Sequence, residues 1–273
     1  MLGALIIVFR EVLEAGLIIG IVLAATRRVP GRGKWISLGG LAGLLGAGVV
    51  AAFAGAISDA FAGAGQELLN AAVLGTAVIM LMWHNAWMAR HGREMAAELC
   101  KVGEEVTEGK RPLTALAVVV GLAVLREGSE VVLFLYGIVA GGASSNEMLA
   151  GGLLGLAAGG VFTGLTYLGL LAIPSRYIFF VTTLLITLLA AGMAAQAVQY
   201  LDAAGVATVL TDTMWDTSAW LQQDGLAGKL LHVLIGYTER PTKLQVLVYI
   251  AVLATMALLM RMAAPRRRPL QAA

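Results

Sequence analysis

Seven long apolar stretches, separated by shorter polar segments, follow one another along the chain. A helix needs about 20 mostly apolar residues to cross the roughly 30 Å of hydrocarbon in a bilayer. Seven stretches meet this length, and each predicts a membrane-spanning helix. The predicted spans are residues 2–25, 36–57, 66–89, 113–137, 148–171, 177–200 and 244–262.

The composition agrees with a membrane protein and excludes a soluble one. Of the 273 residues, 59% are hydrophobic and 13% are charged, whereas a soluble domain carries about 25% charged residues. The 34 glycines suit closely packed transmembrane helices. The net charge of +2 is not gathered on one face, so no nucleic-acid partner is predicted. The expected fold is an all-α polytopic membrane protein embedded in lipid.

The basic residues outside the spans predict the orientation of the chain. Lys and Arg in short loops favour the cytoplasmic side of the membrane. Alternate segments place three basic residues on one side: Lys229, Arg240 and Lys243. They place fourteen on the other: Arg27, Arg28, Arg32, Lys34, Arg90, Arg93, Lys101, Lys110, Arg111, Arg176, Arg261, Arg266, Arg267 and Arg268. This asymmetry predicts the N-terminus outside and the C-terminus inside, with the free Cys100 in the cytosol.

The sequence also repeats itself. Residues 125–130 in span four resemble residues 9–14 in span one, and the glycine row at 151–155 resembles the row at 39–43. Spans one and four cross the membrane in opposite directions, so three helices plus three form an inverted-topology repeat, an architecture common among secondary transporters. We interpret the glycines as helix-packing residues, within one chain or between subunits of a homo-oligomer.

These patterns divide the chain into five regions. They are the first three-helix repeat (1–89), a cytosolic loop (90–112), the second three-helix repeat (113–200), an outer amphipathic loop (201–243), and the seventh helix with a basic cytosolic tail (244–273). The outer loop contains Trp215 and Trp220 and is expected to lie as an interfacial or re-entrant helix over the outer mouth.

Two Arg-Glu-x-x-Glu motifs carry the candidate chemistry. One is Arg10, Glu11 and Glu14, and the other repeats its spacing near the middle of span four as Arg126, Glu127 and Glu130. An ionisable side chain at this depth costs about 2.5–3.5 kcal/mol or more. On a helix, residues three and four apart lie on one side. The two motifs are therefore expected to face each other in one polar centre.

The charges of this centre favour a cation. Four carboxylates against two guanidiniums leave two negative charges, and carboxylate oxygens suit hard cations such as ferric iron, Mg, Ca or Mn. The predicted metal ligands are Glu11, Glu14, Glu127 and Glu130. Arg10 and Arg126 would each orient one carboxylate through a bidentate pair. The alternative is two salt-bridge clusters that only stabilise the bundle, and proton coupling stays open.

Other polar residues near or within the spans are weaker candidates for the ion path. They are Asp59, Glu67, His84, Gln196 and Gln199, and each has an ordinary explanation as a solvated charge or an interhelical hydrogen bond. An intramembrane enzyme is disfavoured. The pattern His-Glu-x-x-His is absent, and Ser129 with His84 lacks the setting of a serine nucleophile. We predict a transporter rather than an enzyme.

The doubled motif resembles the high-affinity iron permease family, the oxidase-dependent iron transporters. The residues that carry the resemblance are segments 9–18 and 125–135, the start of span three at 65–68, the stretch 191–205, and the region from Trp215 to Pro241. They cover nearly the whole chain.

The resemblance implies a permease of a bacterial inner membrane. Its substrate would be ferric iron, with no permanently bound cofactor, and its partners would be extracytoplasmic proteins that oxidise or deliver iron. The alternative from the residues themselves is a transporter of another hard or divalent cation, such as Mn, Mg or ferrous iron.

Overall fold

A computed structural model describes residues 1–60, 66–169, 175–223 and 225–263. These ranges contain eight α-helices and no β-strand. The helices are α1 (Leu2–Ala25), α2 (Arg32–Ala60), α3 (Gln66–Thr107), α4 (Thr114–Ala140), α5 (Ser145–Tyr167), α6 (Ser175–Ala203), α7 (Leu226–Ile235) and α8 (Lys243–Ala263). Each of the seven predicted spans overlaps a helix, and residues 170–171 of the fifth span lie outside the described residues. The basic tail residues Arg266 to Arg268 lie outside the described residues.

Five of these helices are long and apolar enough to cross a membrane by their length and composition. They are Arg32–Ala56, Gln66–Gly92, Ser145–Tyr167, Phe179–Ala203 and Lys243–Ala263. The two remaining long helices, α1 and α4, are also apolar, but each holds three charged motif residues near its middle. The chain has the helical architecture of a polytopic membrane protein.

The predicted cytosolic loop 90–112 is mostly helix, because α3 continues without a break to Thr107. Leu99 and Val106 in this extension are seven positions apart, so they lie on the same helix face. Both are buried against apolar residues at the ends of three other helices: Ile18 and Val22 of α1, Ile36 of α2, and Leu116 and Val120 of α4. The mixed charges of this segment favour a solvated helix, and the structure shows a helix with one packed face. The apolar face of the extension gains a packing surface only in the folded bundle.

The first two helices of each predicted repeat pack in matching ways. Helix α5 lies along α1, and α2 lies along α4. The contacts are Gly151 with the carbonyl of Met1, Gly155 with that of Leu5, Gly39 with that of Ala117, and Gly43 with that of Gly121. A Cβ at any of these glycines would lie within 3.0 Å of the carbonyl oxygen. The packing interpretation of the glycine rows is confirmed, and the contacts are made within one chain.

The third helices of the two halves are placed differently. Helix α3 packs against both motif helices, α1 and α4, and also against α6. Helix α6 packs mainly against α3 and α8. A buried apolar cluster joins these helices, with Leu74 and Leu81 of α3 against Ile186 and Met193 of α6 and Phe134 of α4. As a result, one face of α3 lies in the centre of the bundle.

The region 201–243 is a short helix embedded in irregular chain rather than one continuous amphipathic helix. Helix α7 packs against α6 and α1. It ends at Gly236, whose φ of 70° is left-handed, and the backbone of Gly236 contacts the backbone of Gly192 in α6. Arg240 Nε lies 2.9 Å from Asp216 Oδ2. Hydrogen bonds from Ser218, together with this ion pair, lower the pKa of Asp216 to about 2.

Candidate metal centre

The two motifs meet where α1, α3 and α4 contact one another. In each motif an arginine is followed by a glutamate at the next position and by a second glutamate four positions after the arginine. All three lie on one continuous helix, so their side chains can contact one another. The backbones of α1 and α4 satisfy their own hydrogen bonds, which leaves the side chains as the polar groups at this depth.

In the first motif, one guanidinium bridges two carboxylates. Arg10 Nη1 lies 3.2 Å from Glu11 Oε1, and Arg10 Nη2 lies 2.9 Å from Glu14 Oε1. All three side chains are at most 3% exposed. The expected pairing, in which the arginine binds a single glutamate bidentately, was wrong, because Arg10 divides its donors between both.

The second motif is more open. The Arg126 side chain is 33% exposed, and its Nε lies 3.1 Å from Glu130 Oε1 but 3.9 Å from Glu127 Oε1. The longer of these distances exceeds that of a hydrogen bond. The guanidinium carbon instead lies 4.2 Å from the centroid of the Trp87 ring, within cation–π range. The two motifs therefore share a sequence spacing but differ in geometry.

His84 of α3 connects the two motifs. Its Nε2 lies 3.4 Å from Glu14 Oε2 and 4.0 Å from Glu11 Oε2. Its Nδ1 contacts Glu130 Oε2. The imidazole is 3% exposed. One side chain thus faces carboxylates from both α1 and α4, because α3 packs against both of these helices.

Four of these residues can converge on a single ion. Glu11, His84, Glu127 and Glu130 each offer a ligand atom, and the four atoms lie within 4.8 Å of one another. Ligand atoms bound about 2.1 Å from one metal lie at most about 4.2 Å apart, so a shift of about half an ångström would close the site. Three carboxylates and one imidazole form a donor set that suits iron or manganese.

Glu14 stands apart from this group. Sequence analysis treated the four motif glutamates alike, but Glu14 pairs with Arg10 and faces His84, and it is outside the converging set. The structure thus brings together three of the four predicted ligands. Arg10 and Arg126 lie beside them, as predicted.

Several polar atoms of the centre are buried without a partner. Neither carboxylate oxygen of Glu127 accepts a hydrogen bond from an amide, guanidinium or imidazole donor among the described residues, although the Glu11 carboxyl lies within hydrogen-bond reach. Both amide atoms of Asn85 also lack a partner there. A buried charge without a partner is costly, and the cost falls when the group pairs or coordinates a metal. The centre therefore has spare capacity to bind a cation.

Cavities adjoin the centre along the seam between α3 and α4. One cavity of about 470 Å³ is lined by His84, Arg126 and Glu130 together with Met80 and three further side chains: Ile79, Trp83 and Trp87. A second cavity of about 440 Å³ continues toward the start of α3 and shares Met80 with the first. Its polar lining residues are Gln66, Asn70, Thr76 and Tyr136. The first cavity thus reaches the centre, and the second lies nearer the first turn of α3.

The remaining candidates for the ion path lie elsewhere. Gln196 contacts Nε2 of His232 in α7 at 2.6 Å, and Gln199 is exposed on α6. Glu67 is exposed in the first turn of α3, where it is not among the residues lining the described cavities. The side chain of Asp59 lies outside the described residues. Of the five path candidates, the structure places His84 in the centre.

Sequence analysis undervalued two residues of the centre. His84 is an ionisable group inside an apolar span, which is itself a signal of function, although the sequence could not show which way it faces. Trp87 was not singled out, because a tryptophan near the end of a span usually marks the interface between membrane and water. Its spacing of three from His84 puts both on one side of α3.

Comparisons with known proteins agree with this architecture. Residues 1–264 match the model of the iron permease FTR1 family. A relative from Escherichia coli O6:K15:H31 (strain 536), named ferrous iron permease EfeU, is 32% identical over 248 residues, which is 89% of each chain. A relative of the same name from Yersinia pestis is 29% identical and covers 89% of this chain and 87% of its own. No solved structure matches the chain.

The family model spans the long helices and both motifs, and the Escherichia coli relative aligns over most of both chains. Iron is the substrate of this family of permeases, and the apolar helices are those of a multi-pass membrane protein. This chain belongs to the iron permease FTR1 family.

Proposed function

We propose that the chain imports iron and binds it at the centre formed by Glu11, His84, Glu127 and Glu130. The observation that carries the proposal is the convergence of these four donors within 4.8 Å, inside an otherwise apolar bundle. Salt bridges alone would not require this convergence, because Arg10 and Arg126 can pair with only some of the carboxylate oxygens. Both oxygens of Glu127 are buried and accept no hydrogen bond from an amide, guanidinium or imidazole donor among the described residues.

The charge of the centre favours a divalent ion in transit. The carboxylates of Glu11, Glu14, Glu127 and Glu130 face two guanidiniums, so the ionised centre with neutral His84 carries a charge of −2. Ferrous iron would neutralise it, and imidazole nitrogen is a common ligand of ferrous iron in proteins. The curated relatives are named ferrous iron permeases. Ferrous iron is therefore our first candidate.

Ferric iron is the second candidate. Three carboxylates in the donor set favour a hard cation, and ferric iron is the substrate expected from the resemblance described above. The rest of the centre serves both ions. Arg10 fixes Glu11 and Glu14, and Arg126 fixes Glu130, so that the ligands keep their positions when the site is empty.

We further propose seven membrane spans in a bacterial inner membrane. Helices α1 and α4 become spans because their charged residues face each other and α3 rather than lipid. The matching contacts of α1 with α5 and of α4 with α2 support the inverted repeat. In this arrangement the first turn of α3 lies outside, and iron approaches along the α3–α4 cavities. Extracytoplasmic partners that deliver or oxidise iron, and a homo-oligomer, stay predictions.

The transport proposal is tested by uptake into proteoliposomes containing the purified chain. Ferrous iron kept reduced with ascorbate, ferric citrate, Mn²⁺ and Mg²⁺ are compared at equal concentration. We expect saturable iron uptake at least about tenfold faster than Mg²⁺ uptake, because Mg²⁺ prefers oxygen ligands and keeps its water. Iron uptake no faster than in protein-free liposomes would contradict the proposal, and uptake confined to ferric citrate would select the second candidate.

The orientation is tested with the exposed Cys100 on the α3 extension. We expect a membrane-impermeant maleimide to label Cys100 only after the cells are permeabilised, because this end of the bundle faces the cytosol. The control is Ser145→Cys in a Cys100→Ser background, since Ser145 begins α5 at the opposite end. Labelling of Cys100 in intact cells would reverse the proposed orientation.

A further inference from the structure

Arg10 and Arg126 differ in their surroundings. They occupy equivalent positions, yet Arg10 reaches both of its glutamates within 3.2 Å while Arg126 stays 3.9 Å from Glu127. The spacing along the helix is identical, so spacing does not explain the difference. Arg126 is more exposed than Arg10, and an aromatic ring lies beside it. The guanidinium carbon of Arg126 lies 4.2 Å from the centroid of Trp87.

Trp87 is itself fixed in place. Its ring stacks on His91, one turn further along α3, with centroids 5.1 Å apart and planes inclined by 24°. His91 Nδ1 also lies 3.2 Å from the carbonyl oxygen of Trp87. The indole is half-buried and lines the same cavity as Arg126 and Glu130. An aromatic ring held on one side by its own helix is a fixed platform for a cation.

We propose that Trp87 is a positioning residue that keeps Arg126 away from Glu127 and so keeps the Glu127 carboxylate available for the metal. A guanidinium attracted by the face of an indole has less tendency to close on a nearby carboxylate. The unpaired oxygens of Glu127 agree with this role. Without the ring, Arg126 would adopt the geometry of Arg10, bridge Glu127 and Glu130, and compete with the incoming ion for both.

This inference rests on the proposed function, because it assigns a role to Trp87 at the proposed iron ligands. It predicts that substitution of Trp87 affects the affinity for iron and the maximal rate of transport differently. In this proposal Trp87 does not bind iron; it controls the position of Arg126, which competes with iron for Glu127 and Glu130. Loss of the ring should therefore weaken iron binding while leaving the maximal rate of transport nearly unchanged.

The test compares Trp87→Leu with Trp87→Phe, which retains an aromatic face. We expect Trp87→Leu to raise the KM for ferrous iron and the Kd of the purified full chain in detergent by about tenfold, with the maximal rate within about twofold of the original. Trp87→Phe should recover most of the affinity. Trp220→Leu is the matched control, because Trp220 is 94% exposed and belongs to the segment between α6 and α7. If Trp87→Leu does not fold, Trp87→Met places a longer, flexible side chain without a ring at the same position.

A double-mutant cycle with Arg126→Gln isolates the proposed contact. Because Trp87 acts through the guanidinium, Trp87→Leu should change the Kd by less than about twofold when Arg126 is already Gln. A tenfold change in both backgrounds would overturn the inference, as would an unchanged Kd in Trp87→Leu itself. A lower yield with normal affinity per folded molecule would also overturn it, since that result describes a purely structural residue.

Failure of this inference can be told apart from failure of the proposed function. Glu127→Gln is measured beside the Trp87 variants. If Glu127→Gln loses iron uptake and Trp87→Leu binds iron normally, only the role of Trp87 is wrong. If Glu127→Gln transports iron normally, the metal centre itself is wrong.

Discussion

Replacing Glu127 by Gln is expected to lower iron uptake per folded molecule at least about 100-fold. Loss of groups that only support a metal ligand already costs about 10–100-fold, and Glu127 would be a direct ligand whose two oxygens accept no hydrogen bond from an amide, guanidinium or imidazole donor among the described residues. Gln keeps the shape of the side chain but removes the charge and one strong oxygen donor. The measurement is radioactive iron uptake in proteoliposomes, divided by the amount of folded protein.

Stability separates this explanation from a structural salt bridge. Glu127→Gln removes a buried carboxylate that crowds the Glu11 carboxylate and is paired with Arg126 only at 3.9 Å, so the melting temperature should stay the same or rise. Glu14→Gln should instead lower it, because Glu14 lies 2.9 Å from Arg10 and its loss leaves a buried cation less well paired. Glu104→Gln, at an exposed site on the α3 extension, controls for the substitution itself. Normal uptake by Glu127→Gln would contradict the proposed metal centre.

Gly155→Ala is expected to destabilise the protein and reduce transport, although it adds only one methyl group. The new Cβ would lie 2.6 Å from the carbonyl oxygen of Leu5 and 3.0 Å from the amide nitrogen of Phe9. Backbone atoms cannot turn aside as a flexible side chain can, so α5 must move away from α1. Overpacking of this kind costs about 1–3 kcal/mol. Because Phe9 directly precedes Arg10, the movement also displaces the first motif.

The matched control is Gly152→Ala, three residues away on the same helix, where the nearest atom to a new Cβ is a methyl of Val8 at 3.9 Å. We expect its melting temperature and uptake to stay close to those of the unmodified chain. Gly43→Ala should resemble Gly155→Ala, because its Cβ would lie 2.9 Å from the amide nitrogen of Leu125, directly before Arg126. Equal effects at Gly152 and Gly155 would contradict the role of close helix packing.

The agreement between predicted spans and observed helices has a simple physical origin. Within hydrocarbon every backbone N–H and C=O must find a partner inside the chain, so an apolar stretch of sufficient length becomes a helix whatever its neighbours are. The segment 90–112 is different, because it lies beyond the predicted third span and α3 nevertheless continues through it to Thr107. That extension is not apolar along its length, and the buried face of Leu99 and Val106 is explained by the helices packed against it.

The chemistry of the centre was visible in the sequence only in part. The motifs could be recognised in the sequence because six ionisable groups lay inside apolar spans. Their unequal roles could not be recognised, because Glu14 and Glu130 are equivalent by spacing and differ only in the residues that surround them. Glu14 is paired with Arg10, whereas Glu130 joins His84, Glu11 and Glu127.

The sequence by itself therefore determined the membrane-spanning class, the positions of the helices and the two motifs, since hydropathy and helical spacing are local properties. Only the tertiary structure decided that α3 packs against both motif helices and places His84 beside their carboxylates. It also decided that Trp87 lies against one arginine and that Arg10 is buried among its glutamates. Contacts between helices depend on how close their backbones can approach, and that distance is set by pairs of residues far apart in the chain.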